Sequence, residues 1–294
     1  MIVDAHAHVF LRADAAPRAV DELAPAEREA PVDDLLAVMA GAGVERAVLV
    51  PLATEDDYVA RVLREHPGRF AAVAVADAAA QGREPGIDPA DALRRRRERF
   101  PFHAVRTQWL GDPTAPLAES PMLPALEHMA ETGLVLWTYL TPDQLALLDQ
   151  LPVVVPQLAV VLNHLGFCPH GMRVDRHRRP AFDDPFPPGS LDPVLRLAEH
   201  PGARVMFSGQ YALSREEPPY RDLDGIVRAL AEAFGAQRML WASDYPWTRD
   251  VPGYRALLGL AEQALPGATP DDLTAIHGGT ALELFPHLRP AEVP

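Results

Sequence analysis

An Asp-x-His-x-His run, Asp4-Ala-His6-Ala-His8, lies in a segment where Ile2 and Val9 supply β-propensity. Side chains alternate across a strand, so this spacing predicts that Asp4, His6 and His8 share one face. Burying three ionisable groups together is costly unless they are hydrogen-bonded or gathered around a cation. Imidazole nitrogen suits zinc and related metals, and two histidines two residues apart can reach one ion. Taken alone, the run fits two surface histidines on an edge strand equally well.

The other candidates stand at the ends of apolar runs. Nearly continuous hydrophobic segments predict strands over 2–8, 47–51, 71–76, 104–108, 134–140, 159–164, 204–208 and 239–243. Between them come amphipathic stretches at 31–41, 88–100, 222–234 and 271–285. Pro31 and Asp88 are suited to open the first two helices, and Gly41 and Gly43 to close the first. The arginines in 88–100 read as a solvated helix face. This alternation predicts an α/β protein with a single (β/α)8 TIM barrel over residues 1–294, without internal repeats. A doubly wound sheet would more readily carry a glycine-rich phosphate loop where the histidines stand.

Reactive groups of such barrels gather at the C-terminal ends of the strands. Those ends carry His6 and His8, then Arg106, then Trp137 and Tyr139, then His164, then Tyr211, and last Asp244 and Trp247. The connection 166–190 is long and rich in Pro and Arg, with His170 and His177. It is expected to be a lid over the barrel mouth whose arginines draw in an anionic substrate.

Composition narrows the chemistry further. All 27 basic residues are arginine, which excludes Schiff-base lysines, a P-loop lysine and a carboxylated lysine bridging two metals. A formal net charge of −14 argues against a general affinity for nucleic acid. The single cysteine, Cys168, rules out an internal disulfide and a cysteine-rich metal cluster. No apolar run reaches membrane-spanning length, and the predicted first strand leaves no room for a signal peptide. A cytoplasmic protein is expected.

The ordered set Asp4–His8, Asn163-His-Leu-Gly166, Ser208-Gly209 and Trp241-Ala-Ser-Asp-Tyr-Pro246 resembles the amidohydrolase superfamily, in its amidohydrolase-2 branch. That branch holds aminocarboxymuconate-semialdehyde and resorcylate decarboxylases, pyrone-dicarboxylate lactonase and sugar lactonases. The resemblance implies that His6 and His8 match the first-strand pair and His164 the strand-six histidine. It implies that Asp244 matches the carboxylate that activates water, and that Arg106 matches the arginine with which lactonases hold a substrate carboxylate. Metal-dependent decarboxylases of the branch carry a further histidine at the end of strand five, where this chain has Trp137-Thr-Tyr139. Lactonase-like members lack it too, and some of them hydrolyse without metal.

The leading expectation is therefore hydrolysis of a small anionic lactone or ester-like substrate. Asp244 is the base, with His164 in the catalytic set. Arg106, Trp137, Tyr139, Tyr211 and Trp247 are expected to bind substrate. His6, His8 and Asp244 are the expected ligands of one divalent ion, zinc first, with a metal-free site left open. A zinc- or manganese-dependent decarboxylase of an aromatic or unsaturated acid is the enzymatic alternative, and a non-catalytic binding barrel the other. Assembly into a homo-oligomer is left open.

Overall fold

The computed structural model describes residues 1–290. In chain order the strands are β1 (Val3–Ala7), β2 (Arg46–Leu49), β3 (Phe70–Val75), β4 (Ala104–Thr107), β5 (Val135–Thr138), β6 (Val160–Leu162), β7 (Met172–Val174), β8 (Pro180–Phe182), β9 (Ala203–Phe207) and β10 (Met239–Trp241). All but β7 and β8 form one parallel sheet in the order β1-β2-β3-β4-β5-β6-β9-β10. Its ends meet where His8 N–H donates to Tyr245 O (2.7 Å) and Asp244 N–H to His6 O (2.9 Å). The result is the expected (β/α)8 barrel, and each predicted strand segment overlaps one observed strand, with β2, β3 and β9 beginning one residue earlier than expected.

The predicted helices form with one correction: Gly41, expected to help close the first, lies inside it. Helix Val32–Ala42 follows Pro31 and ends at Gly43 in the left-handed region (φ 75°). Helix Pro89–Arg99 is capped by Asp88, which accepts from Asp91 N–H. Its arginine face is solvated at Arg94, Arg95 and Arg99, whereas Arg96 is buried against Asp56. The segment 271–285 forms as one continuous helix, made of Pro270–Thr274, a widened turn over Ala275–Gly279, and Thr280–Leu284. At the widened turn the helix lies close to the chain start, where a Cβ on Gly278 would stand 2.4 Å from the carbonyl oxygen of Met1. Widened turns of this kind let a helix yield to a neighbour.

A second correction concerns β1. Its register against β2 shifts between Asp4 and Ala7, so the strict alternation fails there. Val3 and Ala5 pack into the barrel interior with Trp137 and Leu240, and Ala7 and Val9 pack outward under the helices. His6 and His8 therefore turn inward, while Asp4 turns to the opposite side and meets Tyr254 of the outer layer. Asp4 accepts from Ser243 N–H (2.8 Å), Ser243 Oγ–H, Tyr254 O–H (2.8 Å) and His6 N–H (3.2 Å). Burial, against those bonds, raises its pKa to about 6. Asp4 is a fastener of the barrel seam.

The floor of the barrel is plugged by Phe285 and Leu288, which pack with the inward residues of the strands. Beside them His103 stacks on His287 at 3.9 Å between ring centroids and accepts from Ala72 N–H at Nδ1. Burial, then the charges of His287 and Arg97, pushes the His103 pKa down to about 3. Between that value and the unfolded value near 6.5 the unfolded chain binds the extra proton. Neutral His103 is thus compatible with full stability above pH 6.5, and stability is lost as pH falls toward 3, by up to about 1.4 kcal/mol per pH unit. Urea melts from pH 7 to pH 4.5 are expected to show a shallower loss in His103→Phe than in the parent. Parallel losses would refute this assignment.

Candidate active site

The C-terminal ends of the strands bring six of the expected groups into one cavity of about 220 Å³: His6, His8, Arg106, Tyr139, His164 and Asp244. Tyr211 and Trp247 also line it. Trp137 does not. It is fully buried beneath His6, between that imidazole and Phe285, because the alternation along β5 turns it into the barrel floor. Its indole Nε1–H donates to His6 Nδ1 at 3.3 Å.

Asp244 is the centre of the cluster. Its Oδ2 accepts from the Tyr211 hydroxyl at 2.6 Å, while its Oδ1 is buried with no hydrogen-bond partner. Oδ1 lies 3.3 Å from His8 Nε2 and 3.7 Å from His6 Nε2, and Oδ2 lies 3.8 Å from His164 Nε2. Burial works against ionisation here, but the imidazoles of His164, His8 and His6 outweigh it and hold the carboxyl below the usual range. Asp244 also sits at φ 56°, a left-handed backbone uncommon outside glycine, asparagine and aspartate.

Each histidine has its own support. His8 Nδ1 faces the carbonyl of Val50 at 2.7 Å. A carbonyl only accepts, so the proton is on Nδ1 and the Nε2 of neutral His8 is a bare lone pair. His164 Nδ1 meets Ser208 Oγ at 2.7 Å, and its ring lies against Gly209. A Cβ on Gly209 (φ 75°) would stand 2.7 Å from the His164 Cβ, so only glycine leaves room for the imidazole. Burial is the leading cause that lowers the pKa of both His6 and His164.

Arg106 faces this cluster without a carboxylate of its own among the described residues. Its guanidinium lies over the Tyr139 ring (5.4 Å), and Nη2 reaches the Leu52 carbonyl at 3.4 Å. Burial lowers its pKa, yet an arginine stays charged. A half-buried cation left without an anion marks a place for one.

Two loops roof the mouth. In the connection 166–190, β7 and β8 pair as an antiparallel hairpin, a feature that the mixed Pro and Arg content of the segment masked. Met172, Pro180 and Phe182 of this hairpin line the cavity. Of its arginines, Arg173 pairs with Asp183, Arg176 with Glu217 and Arg179 with Asp175, so less charge is free to draw an anion than the sequence count suggests. The second loop, residues 11–30, contributes Leu23, which the sequence did not single out. Arg28 ties the two together by donating to the Arg178 carbonyl at 2.7 Å while stacking on Trp247.

A model of the family described as amidohydrolase matches residues 3–287. The chain belongs to the amidohydrolase family. This amidohydrolase is 26% identical over 314 residues to an L-fucono-1,5-lactonase from Burkholderia ambifaria, which spans 98% of this chain and 97% of that protein. Among solved structures, it superposes on an amidohydrolase from Burkholderia multivorans with bound zinc at a TM-score of 0.73, with 20% identity over 97% of this chain and 99% of that one. A Pseudomonas putida protein provisionally named 2-pyrone-4,6-dicarboxylic acid hydrolase gives 0.70, with 22% identity over 100% of this chain and 98% of that one. At such identities the structural likeness speaks for the barrel alone.

One ligand atom each from His6, His8 and Asp244 lies within 4.8 Å of the others, close enough to share an ion. His8 Nε2 and Asp244 Oδ1 offer lone pairs of the kind zinc takes up. His6 fits less well, since its Nδ1 is engaged by a donor where a metal-bound histidine places an acceptor. No helix among the described residues is long and apolar enough to cross a membrane.

Proposed function

We propose that this amidohydrolase hydrolyses a small lactone that carries a carboxylate, with Asp244 activating water. The observation behind this reading is the free Oδ1 of Asp244, ionised and buried, in one cavity with the unpaired guanidinium of Arg106. The similarity to an L-fucono-1,5-lactonase supports the lactone ring as the reacting group.

One water that donates a hydrogen to Asp244 Oδ1 turns a lone pair toward the substrate carbonyl. Attack forms the new C–O bond as Asp244 takes the proton. Collapse breaks the ring C–O bond, and the proton passes to the ring oxygen, leaving a hydroxy acid. His164, held by Ser208, supplies an N–H to the oxyanion in the tautomer where Ser208 donates to Nδ1. Arg106 binds the substrate carboxylate. The hairpin β7–β8 covers the ring and excludes bulk water. Every step runs on protein groups. A bound divalent ion would be held by His8 and Asp244 and would polarise the carbonyl.

A screen tests this directly. Sugar lactones, carboxylated pyrone-type lactones and aromatic acids are offered with chelator, with Zn²⁺ and with Mn²⁺. Acid release from a lactone that persists in chelator is the expected result. Release of CO₂ from an aromatic acid, dependent on added metal and without lactone turnover, would replace the proposal with the decarboxylase.

A further inference from the structure

The two first-strand histidines differ in what supports them. His8 gives its Nδ1–H to a carbonyl, the arrangement that leaves Nε2 bare for an ion or a proton. His6 has the reverse. Its Nδ1 faces the indole of Trp137, and an indole N–H can only donate. Neutral His6 must then carry its proton on Nε2, and that N–H points at the bare Nε2 of His8, 3.3 Å away. Donors and acceptors agree along the whole row: Trp137 Nε1–H to His6 Nδ1, His6 Nε2–H to His8 Nε2, and His8 Nδ1–H to Val50 O.

We infer that Trp137 is a positioning residue that fixes the Nε2–H tautomer of His6, so that the histidine pair works as an oriented hydrogen-bond row and binds a divalent cation weakly. Ligation through His6 Nε2 would move its proton to Nδ1. Two N–H groups would then face each other across 3.3 Å, inside a site where neither has another partner. Because His6 Nε2 stays a donor, the one lone pair of His8 Nε2 accepts from it, which leaves Asp244 Oδ1 as the acceptor that aims the water of the proposed reaction. The inference takes the cluster to be the reaction centre and does not need the substrate to be a lactone.

Nitrogen NMR of histidine-labelled protein reads the tautomer without turnover, with His6 assigned by its loss in His6→Asn. His6 is expected to show a bare Nδ1 and a protonated Nε2. In Trp137→Phe, which removes the indole N–H, and in Trp137→Gln, whose amide oxygen can accept from Nδ1–H, the proton shifts toward Nδ1. Calorimetric titration with Zn²⁺ is expected to show affinity raised about tenfold or more in these variants. A proton on Nδ1 in the parent overturns the inference, as does unchanged or weaker Zn²⁺ binding in a variant whose circular dichroism is native. If neither variant folds, the tautomer of the parent decides.

Discussion

Asp244→Asn is expected to fold normally and to lose about 10³-fold in kcat, within the range that a positioned general base supplies. Asparagine suits the left-handed backbone at φ 56° as well as aspartate does, and its side-chain oxygen can still accept from Tyr211. What it loses is the charge and the free acceptor at Oδ1, the atom that takes the proton from water. A melting temperature within a few degrees of the parent, together with the collapse of kcat, separates chemistry from folding. An Asn variant with near-parental turnover on the true substrate would remove Asp244 from the base role.

Arg106→Met is expected to lower kcat/KM for a carboxylated lactone roughly a hundredfold, about 3 kcal/mol for a charge pair shielded from water. Methionine keeps much of the stem that passes Tyr139 while deleting the cation, so the cavity wall survives. The variant removes a half-buried charge that has no protein counter-ion, and its melting temperature is expected to hold or rise. A neutral lactone of the same ring size should be nearly unaffected. Equal losses on both substrates would show that Arg106 serves the reacting carbonyl or the fold rather than a carboxylate on the substrate.

Much of this site was legible because a parallel barrel turns a one-dimensional list of strand ends into one mouth. Arg106, His164 and Asp244 stand at the ends of apolar runs, and finding the runs was enough to bring them together. Two kinds of information were hidden. The irregular register of β1 reverses the face of Asp4 relative to His6, and the spacing of two carries no trace of that. Backbone partners leave no side-chain signal either, so the carbonyl of Val50, which fixes His8, could not be seen in advance. Trp137 looked like a wall because aromatic residues at strand ends often are, yet it sits one layer below the cavity. Ser208 was visible as part of a Ser-Gly motif, but its contact with His164 spans 44 residues of sequence and needed the fold.

The fastener at the barrel seam bears on the order in which the protein is made. Asp4 reaches its Ser243 and Tyr254 partners across 239 and 250 residues of sequence. A ribosome that has released the first strand must therefore synthesise almost the entire barrel before that carboxylate meets its donors, and the backbone bond from Asp244 to His6 waits just as long. Contacts of such separation are the slow ones to form. The nascent chain thus carries His6 and His8 long before Asp244 joins them, because closing the seam and gathering the cluster are one event that waits for β10 and the residues after it.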